Sequence, residues 1–334
     1  MLDDATSERE FGVGFSRLST ADPMGGHMQY SLWYPTKVPN SVVRLGPVEF
    51  QGTQDAEPAA GQFGLVVLSH GTGGDDLGHR DTAVALAKAG FTAAAPLHPR
   101  DNFRDARDPP QRIVWDGRPR QFSAIIDGLL KHRKWSTRIE VERIGAFGFS
   151  LGGYTVLAVL GAQPQLSEVI NHCGHHFDDD PFCNIVGLLD EAARKAWARE
   201  YAGPPQSFHD ERVCAAVIAD PVAVLFSDAT LQTIPPVRLL FYRPENETVL
   251  NARFHVSRVI RTLKQRGDFP DPQDIVVPKA NHYSFIAPVP EVVAQSFPEF
   301  ASDPEGFDRA AFHDVMNSTI VMFFKQALSG CVEN

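Results

Sequence analysis

The order of apolar and polar positions changes character several times along the chain. Residues 11–19 and 27–34 keep an extended pattern, the second running into LWYPT, where Trp33 and Tyr34 read as core. A polar stretch with Gly and Pro, residues 37–62, then reads as a long surface loop. From residue 64 onward apolar runs alternate with amphipathic stretches. GLVVLS (64–69) predicts a buried strand, residues 77–89 a helix and FTAAAPL (91–97) another strand. Residues 119–135 predict a second helix, with Pro119 suited to its first turn. Residues 144–149 predict a third strand and 151–160 the helix after it. VCAAVIA (213–219) and VRLLFY (237–242) continue the strands, and in 252–265 Val256, Val259, Ile260 and Leu263 share one helical face. A last strand falls at 274–277. The last helix spans about 307–328, where Phe312, Val315, Met316, Thr319, Ile320 and Phe323 keep helical spacing and Gly330 offers a stop.

Strands separated by crossover helices imply a mostly parallel sheet with helices on both faces, an α/β fold in one domain over 1–334. One stretch breaks the alternation. Residues 162–212 carry His, Asp, Cys and Pro clusters and then a short helical piece at 188–201, and they read as an inserted cap or lid over a site. There is no internal repeat and no low-complexity tract.

Composition narrows the function. The 334 residues are 43% hydrophobic and 22% charged, enough apolar material for a core without metals or a disulfide framework. The formal net charge of -10 argues against nucleic-acid binding, which needs a basic face. No apolar run is long enough to span a bilayer. The N-terminal MLDDATSEREF lacks the basic start and apolar stretch of a secretory signal, so the sequence as it stands reads as cytoplasmic, and as periplasmic or secreted if a leader has been removed. A homo-oligomer stays open. Of the four cysteines, Cys173 and Cys183 are close enough in a loop-like segment for a local disulfide, and Cys214 at the start of an apolar strand reads as a buried thiol. None is at the centre of a Gly-flanked turn, which argues against a cysteine nucleophile.

Strand 144–149 runs directly into Gly148-Phe149-Ser150-Leu151-Gly152-Gly153 and then into an apolar helix. This is the G-x-S-x-G pattern in the strand–turn–helix context that gives it meaning. The turn strains the backbone at Ser150, leaves room only for very small residues at 148 and 152, and presents the hydroxyl at the positive end of the following helix. A second element, Ser69-His70-Gly71-Thr72-Gly73-Gly74, ends strand 64–69. The backbone N–H groups of Thr72 and Leu151 fit the two donors of an oxyanion hole, with His70 packed structurally beneath.

In elbow hydrolases an acid and then a histidine follow the serine along the chain. His282, after the last strand, fits the base, whereas His255 and His313 fall on helices. For the acid, Asp220 ends strand 213–219, and Glu245 and Glu247 follow the next strand. Asp220 closes a wholly apolar strand, where a lone carboxylate is costly unless a partner such as a histidine N–H satisfies it; its competing role is a helix cap.

These segments together (LSHGTGGDDLGHRDTAVALAKAGFTAAAPLHPRDN, GFSLGGYT, AVIADP and ANHYSF) resemble the platelet-activating-factor acetylhydrolase-like and predicted dienelactone hydrolase branch of the α/β-hydrolases. The likeness runs from about residue 11 through the last helix and is weakest in the 162–212 segment. It implies an α/β-hydrolase fold, a triad of Ser150, Asp220 and His282, and oxyanion donors at Thr72 and Leu151. Dienelactone hydrolases themselves use a cysteine, so the serine at 150 speaks against that substrate. The expected function is a serine carboxylic-ester hydrolase working through an acyl-enzyme, with short-acyl or aryl and phthalate-type esters as small-molecule substrates. The alternatives are a phospholipid-type acetylhydrolase and a non-catalytic module that binds a ligand or partner. No cofactor is expected. The cluster Asn171-His172-Cys173-Gly174-His175-His176 does not match a usual zinc spacing, and no metal is expected either.

Overall fold

Among the described residues ten strands lie in one sheet: β1 (Gly12–Ala21), β2 (His27–Thr36), β3 (Ser41–Leu45), β4 (Val48–Gln54), β5 (Phe63–Ser69), β6 (Phe91–Pro96), β7 (Ile139–Phe149), β8 (Val213–Ala219), β9 (Arg238–Pro244) and β10 (Gln273–Val277). Their order is β10-β9-β8-β7-β5-β6-β2-β1-β4-β3. The computed structural model from which this is read describes residues 10–106, 111–201 and 203–333. Residues 1–9, on which the reading of the N-terminus as leaderless rests, are outside the described residues.

Strands β5 to β10 run parallel, β2 pairs antiparallel with β6, and β1 pairs antiparallel with β2. The central parallel strands are apolar where helices cover both faces: every residue of β8 except Cys214 is buried, as are the last six residues of β7, whereas the edge strand β10 is mostly exposed. The helices are α1 (Arg80–Lys88), α2 (Arg112–Lys131), α3 (Leu151–Val159), α4 (Leu166–His175), α5 (Asp180–Ile185), α6 (Glu191–Glu200), α7 (Asp228–Leu231), α8 (Val256–Lys264), α9 (Glu291–Ser296), α10 (Pro298–Ala301) and α11 (Arg309–Ser329). One core cluster joins the sheet to α2, α3, α8 and α4 to α6; the other joins its opposite face to α1 and α11. From β5 the chain winds to β6 on one side and β7 on the other, so a crevice opens at the C-terminal ends of β5 and β7.

Several expectations are corrected. The supposed loop 37–62 contains the hairpin β3–β4, registered from Ser41 opposite Gly52 to Leu45 opposite Val48. Val43 and Val48 are buried while their neighbours face outward, a half-polar alternation too short to stand out from loop composition. The second helix begins at Arg112 and Pro119 is inside it. A proline there leaves the carbonyl four residues earlier without its helical donor, and that carbonyl, Trp115 O, accepts from Tyr154 Oη at 3.1 Å instead. On α11 Met316, Ile320 and Phe323 are buried, but Val315 is 67% exposed, since it is turned roughly 100° from that stripe. Cys214 is not a thiol: it is bonded to Cys331, and Cys173 is bonded to Cys183. The short pair was visible in the spacing. The long one forms because α11 packs across β7 and β8 and returns the chain to the start of β8.

The segment 162–212 holds α4, α5 and α6 between α3 and β8. Its helical piece is shorter than predicted, Glu191–Glu200. Asp179 fastens it near the C-terminal edge of the sheet. One carboxylate oxygen accepts from His172 Nε2 at 2.7 Å and from His255 Nε2 at 2.9 Å, and the other accepts from the Asn251 N–H. His255 Nδ1 accepts from the Ala223 N–H, three residues beyond Asp220.

Candidate active site

Strand β7 lies in the middle of the sheet and ends at Phe149; Ser150 follows with φ 55° and opens α3. A non-glycine residue in this left-handed region is strained by about 1–3 kcal/mol and persists only where its surroundings over-determine it. Here they do. The Ser150 N–H donates to Ala219 O, and Ser150 O accepts from the Gly153, Tyr154 and Val222 N–H groups. A Cβ at Gly152 would overlap the Ser69 carbonyl oxygen, and one at Gly148 would overlap the Gly152 carbonyl, which is why both positions hold glycine.

Asp220 ends the neighbouring strand β8, also at positive φ (41°), with its N–H on Tyr242 O. His282 comes from a 3-10 turn, His282–Phe285, after β10. That turn is closed by Asn281 and Ser284: the Asn281 N–H donates to Ser284 Oγ, and Ser284 Oγ donates to Asn281 Oδ1. The three side chains, separated in sequence, form one hydrogen-bonded line. His282 Nδ1 donates to Asp220 Oδ2 at 2.6 Å, and His282 Nε2 accepts from Ser150 Oγ at 3.0 Å. Ser150 is 8% exposed, His282 2% and Asp220 fully buried.

A further residue belongs to this cluster. Glu247, beyond β9, places Oε2 3.5 Å from His282 Nδ1. Sequence order had offered Glu247 only as a rival to Asp220; the sheet, by making β8 and β9 neighbours, brings both to the same imidazole. Glu245 turns away and accepts the Lys279 N–H. Burial raises the Asp220 carboxyl well above its ordinary range, and the Glu247 charge adds to this. Burial would also lower His282, but the hydrogen bonds and charges of Asp220 and Glu247 outweigh it and raise the imidazole to about 9.

The loop after β5 lies against Ser150: a Cβ on Gly71 would be 3.3 Å from the Ser150 Cβ. Buried polar groups hold this loop. Gly71 O accepts from His70 Nδ1 at 2.7 Å and from the Gly74 N–H at 3.1 Å, which fixes the 71–72 peptide and turns the Thr72 N–H the opposite way. Neither the Thr72 N–H nor the Leu151 N–H finds an acceptor among the described residues. Arg118, buried in α2, pairs with Asp101 at 2.5 Å and donates to the His70 carbonyl; the other Asp101 oxygen accepts from the Gly73 N–H at 2.9 Å. Burial, with the Arg118 charge, pushes His70 and His98 well below the usual imidazole range, so both stay neutral supports. His98 bridges Ser69 Oγ and Gln121 Oε1. His313 pairs with Asp81 and takes no part in this line.

Comparison with known proteins bears on this arrangement. The model of the dienelactone hydrolase family matches residues 53–185, a span that includes the loop after β5 and the Ser150 elbow but not Asp220, Glu247 or His282. A ferulic acid esterase from Streptomyces cinnamoneus superposes with a TM-score of 0.59 at 17% identity, over 97% of this chain and 92% of that one. The fold is that of the α/β-hydrolases. No curated protein matches the sequence. Solved structures match in 904 chains, and a fold so widely shared does not by itself choose an activity. No helix among the described residues is long and apolar enough to cross a membrane.

Proposed function

We propose that the protein is a serine carboxylic-ester hydrolase working through an acyl-enzyme, with Ser150 as nucleophile, His282 as general base and acid, and Asp220 as the carboxylate that orients the imidazole. The observation that carries this is the unbroken line Ser150 Oγ–His282 Nε2, His282 Nδ1–Asp220 Oδ2, at 3.0 Å and 2.6 Å, on a strained elbow that presents the serine at a helix N-terminus. The family match over the elbow and the esterase neighbour support the same class.

With the Nδ1 proton donated to Asp220, Nε2 accepts the Ser150 proton as Oγ attacks the ester carbonyl. The carbonyl oxygen becomes an oxyanion held by the Thr72 and Leu151 N–H groups, a term worth about 2.7–4 kcal/mol per donor in related sites. His282 then protonates the leaving alkoxide, and the acyl group stays on Ser150. Water, deprotonated by His282, attacks the acyl-enzyme; the acyl–Oγ bond breaks as His282 returns that proton to Ser150 Oγ, and the acid is released. The residues account for each proton without a cofactor.

The substrate class we favour is short-acyl and aryl-type esters, and the 162–212 segment is the cap that selects among them. Its anchor through Asp179 and His255 beside the Asp220 turn supports that place for it. A panel of 4-nitrophenyl esters of increasing acyl length tests the reading. Turnover should be measurable for the short esters and absent in Ser150→Ala, whose circular dichroism should stay that of the parent. Undiminished turnover in folded Ser150→Ala would overturn it.

A further inference from the structure

Two buried carboxylates face one imidazole nitrogen, while the proposed chemistry uses only one. We propose that Glu247 is a second positioning residue for His282, holding the Nδ1 proton together with Asp220 and able to hold it alone. This rests on the triad reading above and adds a group to it.

The geometry makes Glu247 a built feature. Its Oε1 accepts from the Val249 and Leu250 N–H groups, the latter at 2.7 Å, so the carboxylate cannot swing away without leaving two donors unpaired. That leaves Oε2 aimed at His282 Nδ1 at 3.5 Å, buried and, among the described residues, with no hydrogen-bond partner of normal length. Asp220 Oδ1 is likewise buried without a partner among the described residues. An isolated buried carboxylate oxygen is costly, and two side by side are costlier unless a proton donor between them serves both. His282 is that donor. The other ionisable groups near it are few. Ser150 faces Nε2, and Tyr283, adjoining the ring, itself faces Glu299 on α10. Burial would raise the Glu247 carboxyl, yet hydrogen bonding and charge from His282, with the Leu250 N–H, hold it down at about 2.

A single-carboxylate triad loses about 10⁴ in kcat when the aspartate becomes asparagine, because the amide favours the wrong imidazole tautomer. Glu247 accepts only, so it should keep the proton on Nδ1 when Asp220 is neutralised. The test compares wild type, Asp220→Asn, Glu247→Gln and the double variant, using 4-nitrophenyl acetate and a fluorophosphonate. Asp220→Asn should lose less than about 10³-fold in kcat/KM, the double variant about 10⁴-fold. Glu247→Gln alone should move the acid limb of the kcat/KM profile down by about one pH unit, as removal of a close negative charge requires. Glutamine keeps an acceptor for Val249 and Leu250, so the shift reports the charge lost at His282 and not a loosened 247–250 turn. Should the double variant fail to fold, proton NMR of Asp220→Asn decides: a downfield His282 Nδ1–H signal that persists supports the proposal, and its loss overturns it. Equal residual activity in Asp220→Asn and the folded double variant also overturns it. If the wild type is not labelled at Ser150, the triad reading itself fails.

Discussion

Neutralising Asp101 should separate the support of the proposed oxyanion loop from the triad. Arg118 and Asp101 form a pair with side chains 1% and 4% exposed. Asp101→Asn keeps the shape and still offers an oxygen to the Gly73 N–H, but it leaves the guanidinium buried with no opposing charge. Breaking one partner of a buried pair costs about 3–5 kcal/mol, a large part of the roughly 5–15 kcal/mol that stabilises a typical protein. Arg118 also donates to His70 O and, through Nε, to Thr155 Oγ1, so its displacement would loosen the loop that carries the Thr72 N–H. Loss of that donor is worth about 10²–10³ in kcat. Urea unfolding should show the stability loss, and 4-nitrophenyl acetate turnover should show kcat falling 10- to 1000-fold. The double variant Asp101→Leu/Arg118→Met should regain part of the stability, since apolar pairs often replace buried ion pairs, but not the turnover. An Asp101→Asn protein with parental kcat would refute the proposed role of this loop.

Four other outcomes follow from the same structure. Reducing Cys214–Cys331, which closes a separation of 117 residues, should cost up to about 5 kcal/mol in the chain-entropy treatment, read as a lower urea midpoint under reductant; an unchanged midpoint would contradict it. Phe177, 71% exposed, and Phe182, 1% exposed, should behave differently: Phe177→Ala should alter the acyl-length profile, whereas Phe182→Ala should cost about 3–5 kcal/mol of stability. Because His282 is raised to about 9, kcat/KM should climb as pH rises through that value and the base becomes neutral. The sign for stability is opposite: the ionised imidazole contributes fully below its unfolded value near 6.5 and the contribution is lost as pH rises through about 9. Prolonged chelation should leave ester turnover unchanged, and a loss restored by zinc would bring the His172–Asp179–His255 cluster into the chemistry.

The parts legible in the sequence are those where local chemistry and fold geometry coincide. The elbow could be read because Gly148 and Gly152 stand where a Cβ has no room, and the strand before it and helix after it are continuous apolar runs. His282 and Asp220 were legible because chain order and strand ends restrict where they can come from. Other features depend on what the sheet makes adjacent. Glu247 joins Asp220 because β8 and β9 pair, and Cys331 reaches Cys214 because α11 crosses the sheet. The hairpin β3–β4 was hidden by polar alternation, and the early start of α2 by a proline whose missing donor is offset from another helix by Tyr154. The Arg118–Asp101 support had no signal of its own, since nothing in the spacing of these residues indicates that they meet beneath the loop at 70–74.

The central claim is that Ser150 is the nucleophile, and covalent capture tests it most directly. The protein would be treated with a small fluorophosphonate, weighed intact, and mapped by peptide mass spectrometry. The account predicts one adduct per chain, on Ser150, absent in folded Ser150→Ala and formed more slowly while saturating ester substrate is present. An adduct on a different serine, or none under conditions where the ester is hydrolysed, would contradict it.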